Sequence, residues 1–325
     1  MCFGFNGEEA LRRSLAERGS SRRQMLRGAA VGAGAVGLGT LGGTAVAAPA
    51  LQAGRHGHGH DGGHGGRQVP TDRISIQLYT LRAALGGTPG FDTVLTRLSQ
   101  YGYTRVELAG YYGRTAVQLR AFLKGLGISA TSSHDGISAT PAELQTKLQN
   151  AATLRQTYIN VPYLNSNSLS DWQKWADQMN NEARQAKRYG LKYGYHNHAH
   201  EFTIDLGGGL TPWEVLTDRL DPRLVHLEAD LYWVYTGGVQ TGQSDPDQFV
   251  IDTLRAAPQK VLQFHVKDRD EATGDMSDLG TGVVDFARIF RRHRVDEYIV
   301  ENDTPDVSPL TSAAVGRCYL DHLTF

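Results

Sequence analysis

The residues able to do chemistry crowd into Leu191–Phe202, LKYGYHNHAHEF. Read as a strand, this run sets Tyr193 and Tyr195 on one face and ends the other face in His196, with His198, His200 and Glu201 close behind. Imidazoles and a carboxylate gathered at a strand end are costly to bury unless something binds them. Three later strand-like runs end in Asp230, His265 and Glu301. Two imidazoles and two carboxylates, His196, Asp230, His265 and Glu301, suit one borderline divalent cation, Mn2+ foremost, with Co2+, Zn2+ or Mg2+ as alternatives. Such a cation would chelate a carbonyl and an adjacent hydroxyl and stabilise the enediolate formed when a neighbouring C–H loses its proton. Glu301 or His196, beside the metal, would serve as the base.

Groups so far apart in sequence need a frame that brings strand ends together. Short β-type runs begin near Ile74, Arg105, Ser129, Tyr158, Leu191, Val225, Val261 and Tyr298. Helical patterns fall between them at Phe91–Tyr101, Leu119–Leu126, Leu144–Leu154, Trp172–Tyr189, Trp213–Leu220, Phe249–Ala257 and Phe286–Arg292, with a last one at Ser312–Leu323. Strand and helix alternate every thirty residues or so, roughly the length of a βαβ unit. Eight such units predict an α/β fold, a (β/α)8 TIM barrel. An open doubly wound sheet is second choice, because no Gly-rich dinucleotide turn is present. In these runs one parity is apolar (Ile74 and Ile76, Val106 and Leu108, Phe264 and Val266) and must pack on the helices. The other carries Gln77, Glu107, Asn160, Asp230, His265, Lys267 and Glu301, and must point into the barrel. A polar interior near the C-terminal strand ends is where barrel active sites sit.

The remaining polar residues sort around that centre. Lys267 shares the parity of His265, so it either polarises a substrate oxygen as a catalytic group or pairs with Glu107 or Asp268. His134, Glu107, Gln77, Asn160 and Trp233 are candidates for substrate contact, Trp233 by stacking. His226 and Glu228 lie deeper on the Asp230 face and read as a buried polar layer.

The segments IQLYTLR (76–82), VELAGYYG (106–113), SSHDG (132–136), GYHNHAHEF (194–202), ADLYWV (229–234), FHVKD (264–268), GTGVVDF (280–286) and VEND (300–303) together resemble the xylose isomerase-like barrel superfamily, the sugar phosphate isomerases/epimerases. The resemblance covers nearly all of residues 73–325. It implies a metal set of Glu, Asp, His and Glu on strands five to eight, onto which Asp230, His265 and Glu301 fall. At the first position His196 replaces the family's Glu, so either His196 becomes the ligand or Glu201 swings in. The implied activity is a metal-dependent isomerase or epimerase acting on a keto-sugar or related polyol. The alternatives are a 3-keto-glycoside lyase or inosose dehydratase, and a non-catalytic exported sugar- or metal-binding protein.

Composition bounds the partners. The chain has 325 residues, 33 basic and 34 acidic, and a net charge of −1. That balance gives no electrostatic footprint for nucleic acid. The N-terminus carries Ser21-Arg22-Arg23-Gln24-Met25-Leu26-Arg27 before a weakly apolar Gly/Ala stretch and a small-x-small site at Ala45-Val46-Ala47. This resembles a twin-arginine export signal. We expect residues 1–48 to be that signal, with the export machinery as partner, an extracytoplasmic destination and no membrane span after processing. Residues 49–70, rich in Gly and holding His56, His58, His60 and His64, read as a flexible linker. Residues 71–325 are left as the catalytic barrel. Of two cysteines, Cys2 lies in the signal, so no disulfide framework is possible in the mature chain.

Overall fold

A computed structural model of the chain describes residues 66–305 and 307–325. The expected export signal and the linker histidines lie outside the described residues. Eight parallel strands form the barrel: β1 (Ile74–Gln77), β2 (Arg105–Leu108), β3 (Ser129–Ser133), β4 (Tyr158–Val161), β5 (Lys192–His196), β6 (Val225–Asp230), β7 (Val261–Val266) and β8 (Glu297–Val300). They are hydrogen-bonded in the order β3-β2-β1-β8-β7-β6-β5-β4. The seam between β3 and β4 closes through the bridge of His134 with Asn160 and two flanking bonds, Thr157 N to Thr131 O at 2.8 Å and Asp135 N to Asn160 O at 2.9 Å.

Eight helices follow the strands in turn: α1 (Phe91–Gln100), α2 (Ala116–Gly125), α3 (Pro141–Leu154), α4 (Leu169–Arg188), α5 (Pro212–Arg219), α6 (Pro246–Ala256), α7 (Phe286–Arg292) and α8 (Pro309–His322). Their starts are written locally. Thr115 with Gln118 and Thr211 with Glu214 make capping boxes, and proline opens α3, α5, α6 and α8. Helix α4 buries Trp172, Ala176, Met179, Ala183 and Ala186, one stripe at helical spacing, against the outward face of β4 and β5. Three further helices follow strand ends without an apolar period to announce them: Arg82–Gly86, His200–Thr203 and Leu231–Gln240. The barrel's framework also starts before Thr71, because Gln68 pairs antiparallel with Thr324 and Arg67 exchanges backbone bonds with Phe325. No helix among the described residues is long and apolar enough to cross a membrane.

The parity expected of the strands holds. Ile74, Ile76, Val106, Ile159, Tyr193, Tyr195, Phe264 and Val300 face the helices, and the inward face is polar and buried. Near the N-terminal end, Glu297 accepts from Thr131 Oγ1 at 2.5 Å and Gln263 Nε2 at 3.1 Å. Burial pushes its carboxyl up to about 7, against a usual 4.5, despite the Thr131 bond. The folded chain therefore holds this proton where the unfolded chain has lost it. Glu297 contributes stability that is present below pH 4.5 and is lost as pH rises toward 7. We expect Glu297→Gln to flatten that slope, worth at most about 1.4 kcal/mol per pH unit. Urea melts of both proteins at pH 5 and pH 7 check this, and equal slopes would refute it.

Candidate active site

At the C-terminal rim, β5, β6, β7 and the residue after β8 deliver His196, Asp230, His265 and Glu301. One donor atom from each lies within 4.8 Å of the others, and all four residues are buried. The register brings them there: His196 stands beside Glu228, and Asp230 beside His265. His265 Nδ1 is 2.5 Å from Glu301 Oε2, and His196 Nε2 is 3.6 Å from Asp230 Oδ2. Asp230 also caps the helix Leu231–Gln240, its Oδ1 accepting from Trp233 N at 3.0 Å. Its buried Oδ2 accepts no hydrogen bond.

The other nitrogen of each imidazole faces a carboxylate. His265 Nε2 lies 2.7 Å from Glu107 Oε2, and His196 Nδ1 lies 3.2 Å from Glu228 Oε2. A carboxylate behind a histidine fixes its tautomer and turns the opposite nitrogen toward a metal. Asp230 Oδ2, which accepts no hydrogen bond and has the Lys267 ammonium at 3.0 Å and His196 Nε2 near it, fits a divalent cation together with these two backed imidazoles and Glu301. A second combination, His134, His196, Glu228 and His265, is equally close. It would use the nitrogens that already face Glu107 and Glu228. His134 Nε2 joins that inner layer, 2.8 Å from Glu228 Oε2 and 3.2 Å from Glu107 Oε2.

Charge divides this cluster. Burial, with His265 and His134 nearby, drives the His196 pKa well below its ordinary value, leaving the ring neutral as a ligand must be. Burial also opposes charge on His265, but the carboxylates of Glu228, Glu301 and Glu107 outweigh it and hold its pKa well above normal. Against its own burial, Glu301 is kept ionised by Lys267 and His265. The Lys267 ammonium, buried too, stays charged because Asp230, Glu301 and Asp303 surround it at 3.0, 2.8 and 3.1 Å.

Above the cluster opens a cavity of about 440 Å³. Tyr79, His134, Tyr163, His198, Lys267 and Asp303 are among the residues that line it, with His196 and Glu301 at its base. Four of the residues expected to touch a sugar do not reach its wall. Gln77, Glu107 and Asn160 are fully buried in the floor, where Gln77 Nε2 donates to Glu107 at 2.8 Å and Asn160 Nδ2 donates to Glu228 at 2.6 Å. Strand parity places a side chain inside the barrel without saying at which height, and these three belong to a lower layer. Trp233 stands one layer back, its ring 5.2 Å from His198 and 5.7 Å from Lys267 Nζ. Lys267 pairs with neither Glu107 nor Asp268. Asp268 has the opposite parity and accepts backbone N–H bonds from Arg269, Gly280, Gly282 and Val284. Glu201 does not swing in: it bonds Tyr195 Oη at 2.5 Å and His198 N at 2.8 Å, on the outer side of β5.

Two residues gain a place that the sequence reading did not give them. Glu228 proves to be the carboxylate on which His134 and His196 converge. Asp303 lines the cavity, with Oδ2 on Lys267 and a buried Oδ1 that has no partner, and burial raises its carboxyl to about 6. Glu228 sits two positions before Asp230 on β6, so the strand period carried its signal, whereas Asp303 lies past the end of β8, where no period announces it.

Comparison with known proteins agrees with the fold. An inosose dehydratase of Bacillus licheniformis is 26% identical over 265 residues, covering 68% of this chain and 84% of that protein. A sugar phosphate isomerase/epimerase from Parabacteroides distasonis superposes with a TM-score of 0.63 at 21% identity, over 78% of this chain and 95% of that one. The IolI protein, solved with a zinc atom, superposes at 0.58 with 13% identity, over 76% of this chain and 95% of its own. Residues 83–300 match the family model described as xylose isomerase-like TIM barrel, and the chain belongs to that family.

Proposed function

We propose that this protein is a divalent-metal-dependent sugar isomerase or epimerase that removes a proton next to the carbonyl of a keto-sugar or related polyol. The observation that carries the reading is the convergence of His196, Asp230, His265 and Glu301 at the base of the cavity, with Glu107 and Glu228 behind the imidazoles. A cation held by those four would supply Lewis-acid polarisation of the substrate carbonyl and its neighbouring hydroxyl. The chain's own groups do the rest. The Lys267 ammonium donates to the oxygen on which negative charge grows. The Asp303 carboxylate, part of the cavity wall, takes the proton from carbon. Returning that proton to the former carbonyl carbon, while the hydroxyl proton passes to the former carbonyl oxygen, gives the isomer. Delivery of a proton to the opposite face of the same carbon, taken up from solvent in the cavity, gives the epimer.

A second reading, dehydration, is favoured by the inosose dehydratase relative. It shares the first step and differs in the fate of the substrate, since a hydroxyl on the next carbon leaves as water. The His134 side chain, at the cavity wall, would supply the proton to that hydroxyl. The proposal includes action outside the cytoplasm, supported by the Arg22-Arg23 segment alone and open to cell fractionation. One experiment separates the two chemistries. The Mn2+-loaded protein is incubated with keto-sugars and inososes in D2O. Deuterium on carbon with the ring atoms retained supports isomerisation or epimerisation, and loss of one water supports dehydration. Neither outcome with any such substrate would remove the catalytic reading.

A further inference from the structure

The Lys267 ammonium touches two of the four proposed metal-binding residues. It lies 3.0 Å from Asp230 Oδ2 and 2.8 Å from Glu301 Oε2, the same two oxygens that His196 and His265 approach. Its third carboxylate, Asp303 Oδ2 at 3.1 Å, belongs to no candidate metal group. The side chain is 2% exposed, so these three acids are its ion-pair partners and water does not compensate for them. A divalent ion bound to Asp230 and Glu301 would lie within a few ångströms of the ammonium. Like charges that close, and that deeply buried, repel strongly.

We propose that Lys267 is a tethered counter-cation that competes with the divalent metal for Asp230 and Glu301, and that Asp303 is the seat to which its charge shifts when metal binds. The inference rests on the metal site proposed above and adds what sets its affinity. With no metal bound, Lys267 neutralises carboxylates that would otherwise repel one another. With metal bound, Asp303 keeps the ammonium paired and holds it at the cavity wall, where it faces substrate. Two neighbouring substitutions should therefore act in opposite directions. Lys267→Met removes the competitor and should tighten metal binding at least about tenfold. Asp303→Asn removes the second seat, leaves the ammonium on Asp230 and Glu301, and should weaken metal binding by about tenfold.

The test is titration of metal-stripped wild type, Lys267→Met and Asp303→Asn with Mn2+ and with Zn2+, followed by calorimetry and by the fluorescence of Trp233, whose ring lies 5.7 Å from the ammonium. Circular dichroism with and without metal reports folding. Asp303→Asn keeps the lysine with two acids, so it provides a folded variant should Lys267→Met fold only with metal. Opposite shifts in the two variants support the proposal, as does binding by Lys267→Met where wild type binds nothing. Wild type that binds metal while Lys267→Met binds equally or more weakly overturns the competition and leaves the metal site standing. No binding by any of the three overturns both.

Discussion

On the function proposed above, Glu301→Gln should lower turnover by about 10²- to 10⁴-fold and should also weaken divalent-metal binding. Glu301 Oε2 lies 2.8 Å from Lys267 Nζ and 2.5 Å from His265 Nδ1, so one oxygen serves the ammonium, the imidazole and the proposed cation at once. The amide keeps the shape and removes the charge. Breaking a buried ion pair on one side costs about 3 kcal/mol or more. That cost should be smaller here, because Asp230 and Asp303 still neutralise Lys267. The stability loss is read from urea melts and the metal affinity from calorimetry, so a folded variant that neither binds nor turns over is distinguishable from an unfolded one. Wild-type turnover and affinity in this variant would remove Glu301 from the site.

The second large effect is on the scaffold. Gly194 lies inside the barrel on β5, between Tyr193 and Tyr195, which point outward. A Cβ there would collide with the Asn160 carboxamide and the His226 ring. Both groups are buried, and Asn160 Nδ2 is committed to Glu228 at 2.6 Å and Gln263 at 3.0 Å. Gly194→Ala is therefore expected to cost about 3 kcal/mol, since neither neighbour can move without giving up a buried hydrogen bond. The displacement should also reach the site, because Glu228 orients His196 and His134. Gly125→Ala at the end of α2 meets open space and serves as the control, neutral or stabilising by up to about 1 kcal/mol. Similar urea midpoints for the two variants would show that the floor is looser than its hydrogen bonds indicate.

The sequence by itself determined the architecture of residues 71–325 and the identity of the four convergent donors. Alternation of apolar and polar residues is local information, and so are the caps and prolines that start the helices. Once eight strands are assigned and one face of each is apolar, the inward residues at the C-terminal ends must meet. The convergence of His196, Asp230, His265 and Glu301 was therefore recoverable from parity taken together with their position at the strand ends.

Tertiary structure decided what parity cannot express, which is height along the barrel and the direction of each ring. Gln77, Glu107 and Asn160 have the inward parity of the site residues, yet the stagger between strands sets them in the layer below, where they satisfy one another. The same stagger turns Glu107 and Glu228 into the carboxylates behind the histidines, and it sets Lys267 among Asp230, Glu301 and Asp303 and away from Glu107. Glu201, only five residues from His196, is carried to the outer side of β5 by the short helix that starts at His200, and no period in the sequence announces that turn. These choices depend on how eight strands shear past one another when the sheet closes. Shear is a property of the whole barrel, and no single segment of the chain encodes it.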